Sequence, residues 1–433
     1  MTQRHTMNDL PKVRRLVALP VSPGMSGVLK VASALGPALS GTGPAIAPIP
    51  SAPAALVEKI IDAIRPDDEL FPLESPDIAI VCATSGSTGN PRAVLLSQDA
   101  LLASVNSFGA RYGTDARWVV AMPVHRIAGL MVLVRSWVHG NPFEIDPSVG
   151  GARPFSAAAF AATTQLAVRA SATDGLPLMV SLVPTQIARL LEAGSVGIEA
   201  LKAYSVVLSG AAATPQPMLD ALRSHGIGVV VSYGMSETCG GCVFDGLALS
   251  GVNISLSTKE ATDPGRISVS GSVLASGYRL RPDLDAVSFI DGALQTHDVG
   301  RLDQAGLLHV LGRLDDVIMV GGVSVALGAV ESVIRHHPDI SDVAVVDVVD
   351  DLWGALPIAY IVTSKTQVDQ MKLSEEVKSA VAQQIGRAAT PRSIAFVNQL
   401  PMLDSGKVDR LSLRLQAASD IAQGRLEHPG LAQ

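Results

Sequence analysis

The segment Thr84-Ser85-Gly86-Ser87-Thr88-Gly89-Asn90-Pro91-Arg92 gathers hydroxyls, glycines and one cation, with no carboxylate among them. Glycine tolerates positive φ, so the backbone can turn its N–H groups inward. Ser85, Ser87 and Thr88 add hydroxyl donors at the same place. A loop rich in donors and free of acids suits a polyphosphate. Its spacing is not that of a Walker A loop, which needs Gly-Lys-Ser/Thr leading into a helix. Here apolar runs at 77–83 and 93–96 flank the loop, and both read as strands. A second chemical signal is Arg135, on an otherwise apolar helix predicted over 129–138. A cation there is costly unless paired, either by an internal carboxylate or by a ligand that brings one. Cys239 and Cys242 form a C-x-x-C, but Cys82 is the sole other cysteine, too few for a zinc site. They read as small residues lining a ligand pocket.

The elements that must position these residues alternate between strand and helix. Helices are predicted over 28–39 and 54–64, the second ending before Pro66. A third starts at Ser97, which can cap it, with Leu101, Val105, Phe108 and Tyr112 on one face. Strands follow at 117–122, 179–183, 206–208 and 227–231, with helices at 184–191 and after Thr214, which is read as a cap with Pro215 in the first turn. This alternation predicts an α/β fold with mostly parallel sheets flanked by helices. Past Gly265 the pattern changes to short strands and turns. A smaller α+β unit begins near Asp315, with strands at 317–320, 343–348 and 358–362 and helices at 327–336 and 373–387. The predicted division is 1–314 and 315–433.

The chain has 433 residues, 48% apolar and 17% charged, with a net charge of −7. It is therefore globular, and its charge gives no case for nucleic-acid binding. The few cysteines fit a reducing cytoplasm. The run 16–19 after Arg14 and Arg15 is too short and too close to Pro20 for a leader peptide. No stretch reaches the ~18 apolar residues of a membrane span.

The 84–92 loop resembles the phosphate-binding loop of the adenylate-forming superfamily of acyl-CoA synthetases and adenylation domains, although relatives usually have Lys where Arg92 stands. The hexapeptide Tyr233–Thr238 is similar to the second signature of that superfamily. There the aromatic ring stacks on adenine and the Glu, here Glu237, coordinates Mg2+, a cation for which few carboxylates plus phosphate oxygens suffice. Asp298 stands where relatives hold both ribose hydroxyls, and a carboxylate can accept both bonds; His297 replaces the usual Thr. Gly312-Arg313-Leu314-Asp315-Asp316 resembles the hinge signature, with Arg313 toward ribose or phosphate and Asp315 as the pivot. Gly321 and Gly322 match the loop that lines the pantetheine tunnel, without the Pro that usually follows. In Pro401–Arg410, Lys407 matches the lysine that bridges the carboxylate and α-phosphate during adenylation.

The resemblance spans roughly residues 77–412 and implies a fold of a large domain, shortened at its N-terminus, plus a small mobile domain. It implies ATP and Mg2+ as the requirements of an acyl-adenylate step, with CoA, or a phosphopantetheinyl carrier, as acceptor. Nucleotide contacts fall on Thr84, Ser85, Gly86, Ser87, Thr88, Gly89, Gly210, Ala211, Tyr233, Gly234, Met235, Ser236, Asp298 and Arg313. Thr84, Arg92, Glu237 and Lys407 carry the chemistry. The segments around His125, Arg135, Ser181 and Cys239–Gly246 look like the branch that acts on o-succinylbenzoate in menaquinone biosynthesis, especially its actinobacterial members. In that branch His125, Arg135, Ser181, Gly210 and Ser236 would meet the acid, with Arg135 on a second carboxylate, while His125 could equally gate the site. A short acyl- or aryl-CoA synthetase and a non-catalytic nucleotide-binding relative are the alternatives. A homodimer is compatible with either.

Overall fold

The computed structural model describes residues 14–84, 91–258, 263–350, 352–364, 367–402 and 408–426. Its first sheet runs in the order Leu16–Val21, Ala45–Pro50, Ile78–Thr84, Arg92–Ser97 and Gly277–Tyr278. The first two pairings are parallel and the last two antiparallel. Leu16–Val21, passed over in the sequence because Pro20 interrupts it, is an edge strand, where a missing N–H is tolerated. Helices Met25–Leu39 and Ala54–Ile64 follow the first two strands. The second helix ends at Arg65, in the left-handed region at φ 43°.

The second sheet orders Leu247–Ala248, Gly240–Phe244, Val229–Met235, Val206–Ser209, Leu178–Leu182, Arg117–Val120 and Phe143–Ile145. From Val229–Met235 onward every pairing is parallel. Its central strands are valine-rich and buried, as a sheet covered on both faces requires. Helices Gln98–Tyr112 and Ile127–His139 pack between the two sheets in one shared core. The third sheet, built from Val252–Leu256, Gly265–Gly271, Ala293–Leu302, Phe289–Ile290 and Leu308–Arg313, is antiparallel throughout. Hairpins join Phe289–Ile290 to Ala293–Leu302 and Ala293–Leu302 to Leu308–Arg313, whereas between Gly271 and Phe289 the chain leaves to pair Gly277–Tyr278 with the first sheet.

Two expectations shift. Thr214 does not cap a helix: its hydroxyl sits 2.7 Å from that of Ser209, and helix Gln216–Ser224 starts after Pro215. The helix expected at 373–387 is Gln370–Gln384, because the Asp369 side chain accepts from the N–H groups of Met371 and Lys372. Residues 317–426 have a separate core of Val343–Val346, Ile358–Ile361 and facing residues of Gln370–Gln384 and Arg410–Ala422, including Val377, Val381 and Leu413.

One buried cation closes the large unit. Arg279 is 1% exposed and donates to the carbonyls of Ile64, Arg65, Phe71 and Pro72 and to Glu74. It fixes the irregular 64–74 stretch against Gly277–Tyr278. Arg279→Met would strand these acceptors, and we expect a loss of about 3 kcal/mol in denaturant unfolding. A loss below about 0.5 kcal/mol, the scale of a neutral surface change, would contradict that role.

Candidate functional site

In open α/β sheets, ligands sit outside the carboxyl ends of the parallel strands. The residues singled out in the sequence fall there on four neighbouring strands. His125 follows Arg117–Val120, Ser181 lies near the end of Leu178–Leu182, Gly210 and Ala211 follow Val206–Ser209, and Tyr233 to Ser236 close Val229–Met235. The Gly210 N–H donates to the Leu182 carbonyl at 3.2 Å, and a Cβ at this position would lie 2.8 Å from Ser232 Oγ. A side chain there would require the Ser232 hydroxyl to turn away. Ala211 holds φ 66°, a strained value for a residue with a Cβ, of the kind concentrated at ligand sites.

The Tyr233–Thr238 segment is tightly built. A Cβ on Gly234 would meet the Gly240 carbonyl at 2.0 Å, so the strand can approach its neighbour only without one. The Thr238 hydroxyl accepts from Met235 N–H at 2.9 Å and closes the short helical turn Ser236–Thr238. Ser236 Oγ lies 3.7 Å from Cys82 Sγ, joining this turn to Ile78–Thr84. Cys239 and Cys242, expected to line a ligand pocket, are both fully buried in the shared core.

Glu237 is half-buried; its Oε1 accepts from the Tyr278 hydroxyl at 2.9 Å and its carbonyl from Ala275 N–H at 2.8 Å. Among the described residues Oε2 has no hydrogen-bond partner. Thr84 and Arg92 pair across the base of the hairpin, with Thr84 Oγ1 donating to the Arg92 carbonyl at 3.3 Å. The charge of Arg92 is felt at the Tyr278 phenol. Thr84, Arg92, Glu237 and Ser236 therefore surround one place. Ser85, Gly86, Ser87, Thr88 and Gly89, which would complete the loop, lie outside the described residues, as does Lys407.

Asp298 and Arg313 are register partners on adjacent antiparallel strands. Asp298 Oδ1 lies 3.7 Å from Arg313 Nε, while Oδ2 accepts from Tyr233 OH at 2.9 Å. Burial and then the Asp298 charge push the Tyr233 phenol well above its ordinary value, so it remains a donor. The three residues expected around a nucleoside are thus linked by one hydrogen bond and one ion pair.

His125 lies in a cleft of about 410 Å³ whose walls include Val21, Pro50, Pro53, Arg126 and Gly150. Arg135 is not part of that wall. It is 4% exposed, with its guanidinium carbon 4.3 Å from the Phe108 ring centroid and 5.6 Å from that of Trp118. Burial lowers its pKa to about 10. The internal salt bridge held open from the sequence is missing: among the described residues Arg135 has no carboxylate, and its buried Nε has no hydrogen-bond partner. Two aromatic rings supply its contacts instead.

In the small unit, Gly321 and Gly322 turn between Val317–Val320 and Val323–Ala326 at φ 55° and 85°. A Cβ on Gly321 would strike the Trp353 ring at 2.6 Å. Asp315 is in the short turn Leu314–Asp316 that leads out of Leu308–Arg313. The sequence did not reveal the ion cluster beside it. Arg410 reaches Glu331 at 2.7 Å, Asp316 at 3.8 Å and the Val345 carbonyl at 2.7 Å, and Arg414 reaches Asp347 at 2.6 Å. It pins the start of Arg410–Ala422 to the residue after Asp315. Tyr278 was also missed, and no spacing marks a tyrosine whose partner lies 41 positions away.

Burial, then the neighbouring Arg126 charge, lowers the His125 pKa from 6.5 to about 4. Between those values the unfolded chain binds a proton that the folded chain does not, so stability falls as pH falls through this window. Against His125→Gln, wild type should lose about 1 kcal/mol per pH unit between about pH 6 and pH 5 in denaturant unfolding. A pH-independent difference would contradict the burial of a neutral imidazole.

Residues 44–278 match the family described as AMP-binding enzyme, and residues 329–407 the AMP-binding enzyme C-terminal domain. A probable 2-succinylbenzoate–CoA ligase of Mycobacterium tuberculosis is 35% identical over 406 residues, covering 93% of this chain and 98% of that one. The o-succinylbenzoate CoA synthetase of Bacillus subtilis in complex with the acyl-adenylate intermediate has a similar fold, with TM-score 0.67 at 23% identity over 93% of this chain and 89% of that one. The same Bacillus subtilis enzyme with ATP and magnesium ion aligns with TM-score 0.67 at 23% identity, over 93% and 90% of the two chains. Matched through both of its parts, the chain belongs to the AMP-binding enzyme family.

Proposed function

We propose that the protein is an AMP-forming acid–thiol ligase that converts o-succinylbenzoate and CoA to o-succinylbenzoyl-CoA at the expense of ATP, in menaquinone biosynthesis. One carboxylate oxygen of the acid attacks the α-phosphorus of ATP and pyrophosphate leaves. The CoA thiol, losing its proton, then attacks the acyl carbon of the adenylate and AMP leaves. Holding acid and nucleotide together removes much of the entropic barrier to the first step.

In this reading Thr84 and Arg92 frame the phosphates, with Ser85 to Gly89 between them. Tyr233, Asp298 and Arg313 hold the nucleoside, and Gly210, Ala211 and Ser236 line the junction of nucleotide and acid. Glu237 fits a magnesium site supplied mainly by phosphate oxygens: its Oε1 is taken by Tyr278 and its Oε2 remains for a cation. Bound there, Mg2+ would offset the phosphate charge. Lys407 would stabilise charge developing between carboxylate and phosphorus. Residues 315–433 would turn about Asp315 to withdraw Lys407 and bring Gly321 and Gly322 toward the thiol. The setting is the cytoplasm, where ATP and CoA are available.

The observation that carries the choice of acid is Arg135, buried with no carboxylate among the described residues. Cation–π contact with Phe108 and Trp118 is worth about 2 kcal/mol when desolvated, less than burying a full charge costs. A substrate with a second carboxylate supplies the missing charge, and o-succinylbenzoate is such a diacid. The relative from Mycobacterium tuberculosis is named for the same substrate. Arg135→Met should lower kcat/KM for the diacid about 100-fold, the worth of a charged hydrogen bond of ~3 kcal/mol, and change it less than about 3-fold for monoacid analogues lacking one carboxylate or the other. Equal losses on diacid and monoacids would assign Arg135 to packing alone.

A further inference from the structure

Tyr278 is 4% exposed and is held from every side. It pairs with Val94 in Arg92–Ser97, the strand that begins where the phosphate loop ends. On either side of it, Ser276 N–H donates to Leu95 and Arg279 N–H to Ala93. Its own N–H donates to Asp285 Oδ1 at 2.7 Å, an approach that Gly277 permits at φ 136°, since a Cβ there would lie 2.7 Å from Asp285 Oδ2. The next residue is Arg279, whose guanidinium is locked into the 64–74 stretch. The ring packs against Phe289 at 5.8 Å. The phenol oxygen therefore has a fixed place.

Glu237 is the opposite case. Its backbone is fixed through Ala275 N–H, but its side chain is half-exposed, and among the described residues the Tyr278 hydroxyl is its hydrogen-bond partner. A carboxylate with two equivalent oxygens and three side-chain torsions presents a ligand atom reliably only when one oxygen is held.

We propose that Tyr278 is a positioning residue for Glu237: its hydroxyl holds Oε1, so that Oε2 is presented as a ligand to the nucleotide-bound divalent cation. The inference rests on the reading of Glu237 as the residue that holds the metal. Burial, and then the Glu237 charge, push the Tyr278 phenol above its ordinary value, with Ser288 and then Arg92 acting the other way, so the hydroxyl stays a donor.

The test is a Mn2+ titration followed by electron paramagnetic resonance, on the full chain with a non-hydrolysable ATP analogue. It is run for wild type, Tyr278→Phe, Glu237→Gln and the double variant, beside analogue binding without metal. Loss of the hydroxyl should weaken Mn2+ about 10-fold, as removing a ligand's supporting hydrogen bond does elsewhere, and leave metal-free binding unchanged. Glu237→Gln should weaken Mn2+ at least as much, and Tyr278→Phe should add nothing in that background. Wild-type Mn2+ affinity in Tyr278→Phe with a loss in Glu237→Gln overturns the proposal and leaves the metal reading intact. Wild-type affinity in Glu237→Gln overturns both. An equal loss of metal-free binding in Tyr278→Phe makes the tyrosine a packing residue. Should Tyr278→Phe fail to fold, Asp285→Ala loosens the same tyrosine from behind; a loss of about 3-fold in the Mn2+ titration supports the proposal and an unchanged titration overturns it.

Discussion

Thr84 and Arg92 face each other across the base of a hairpin whose strands are buried along almost their whole length, and much of the site depends on that register. A slip of one residue would turn every side chain of Ile78–Thr84 to the opposite face. Cys82 would leave Ser236, and Thr84 would leave its place opposite Arg92. The hairpin is secured on both flanks. Ile46 pairs with Ile80 on one side, and Gly277–Tyr278 pairs with Val94 and Leu95 on the other.

A tyrosine phenol engages one oxygen of Glu237 and one of Asp298, and Arg313 lies 3.7 Å from the other oxygen of Asp298. Glu237 is held by Tyr278 and Asp298 by Tyr233, in both cases by a phenol that burial keeps protonated. A phenol orients a carboxylate without neutralising it, as an arginine would. Arginines are used differently. Arg279 and Arg410 satisfy carbonyls and carboxylates to tie distant segments together, whereas Arg135 lies between aromatic rings with no carboxylate partner among the described residues. That contrast separates arginines that build the fold from the one assigned to the acid.

Much of this was legible in the sequence. The second sheet announced itself because its strands are short, valine-rich and separated by helices of ordinary length, and the site segments follow those strands in order. Leu16–Val21 and Ala45–Pro50 were not legible, since Pro20, Pro48 and Pro50 break the pattern that marks a strand. Thr214 looked like a cap because its type and the following proline allow one; a hydroxyl 2.7 Å away on Ser209 took it instead. The surroundings of Arg135 could not be read, because Phe108 and Trp118 lie on separate elements and meet it only after folding. Tyr278, Glu331 and Arg410 escaped for the same reason: their partners are distant in sequence, and no periodicity reports a tertiary hydrogen bond.

The most direct measurement is pyrophosphate release by the purified protein with ATP, Mg2+ and o-succinylbenzoate, followed by mass spectrometry after CoA is added. The predicted result is pyrophosphate release dependent on the diacid, a CoA thioester of matching mass, and collapse of both in Lys407→Ala. Nucleotide binding without pyrophosphate release for any acid tested would contradict the assignment of this site as a ligase.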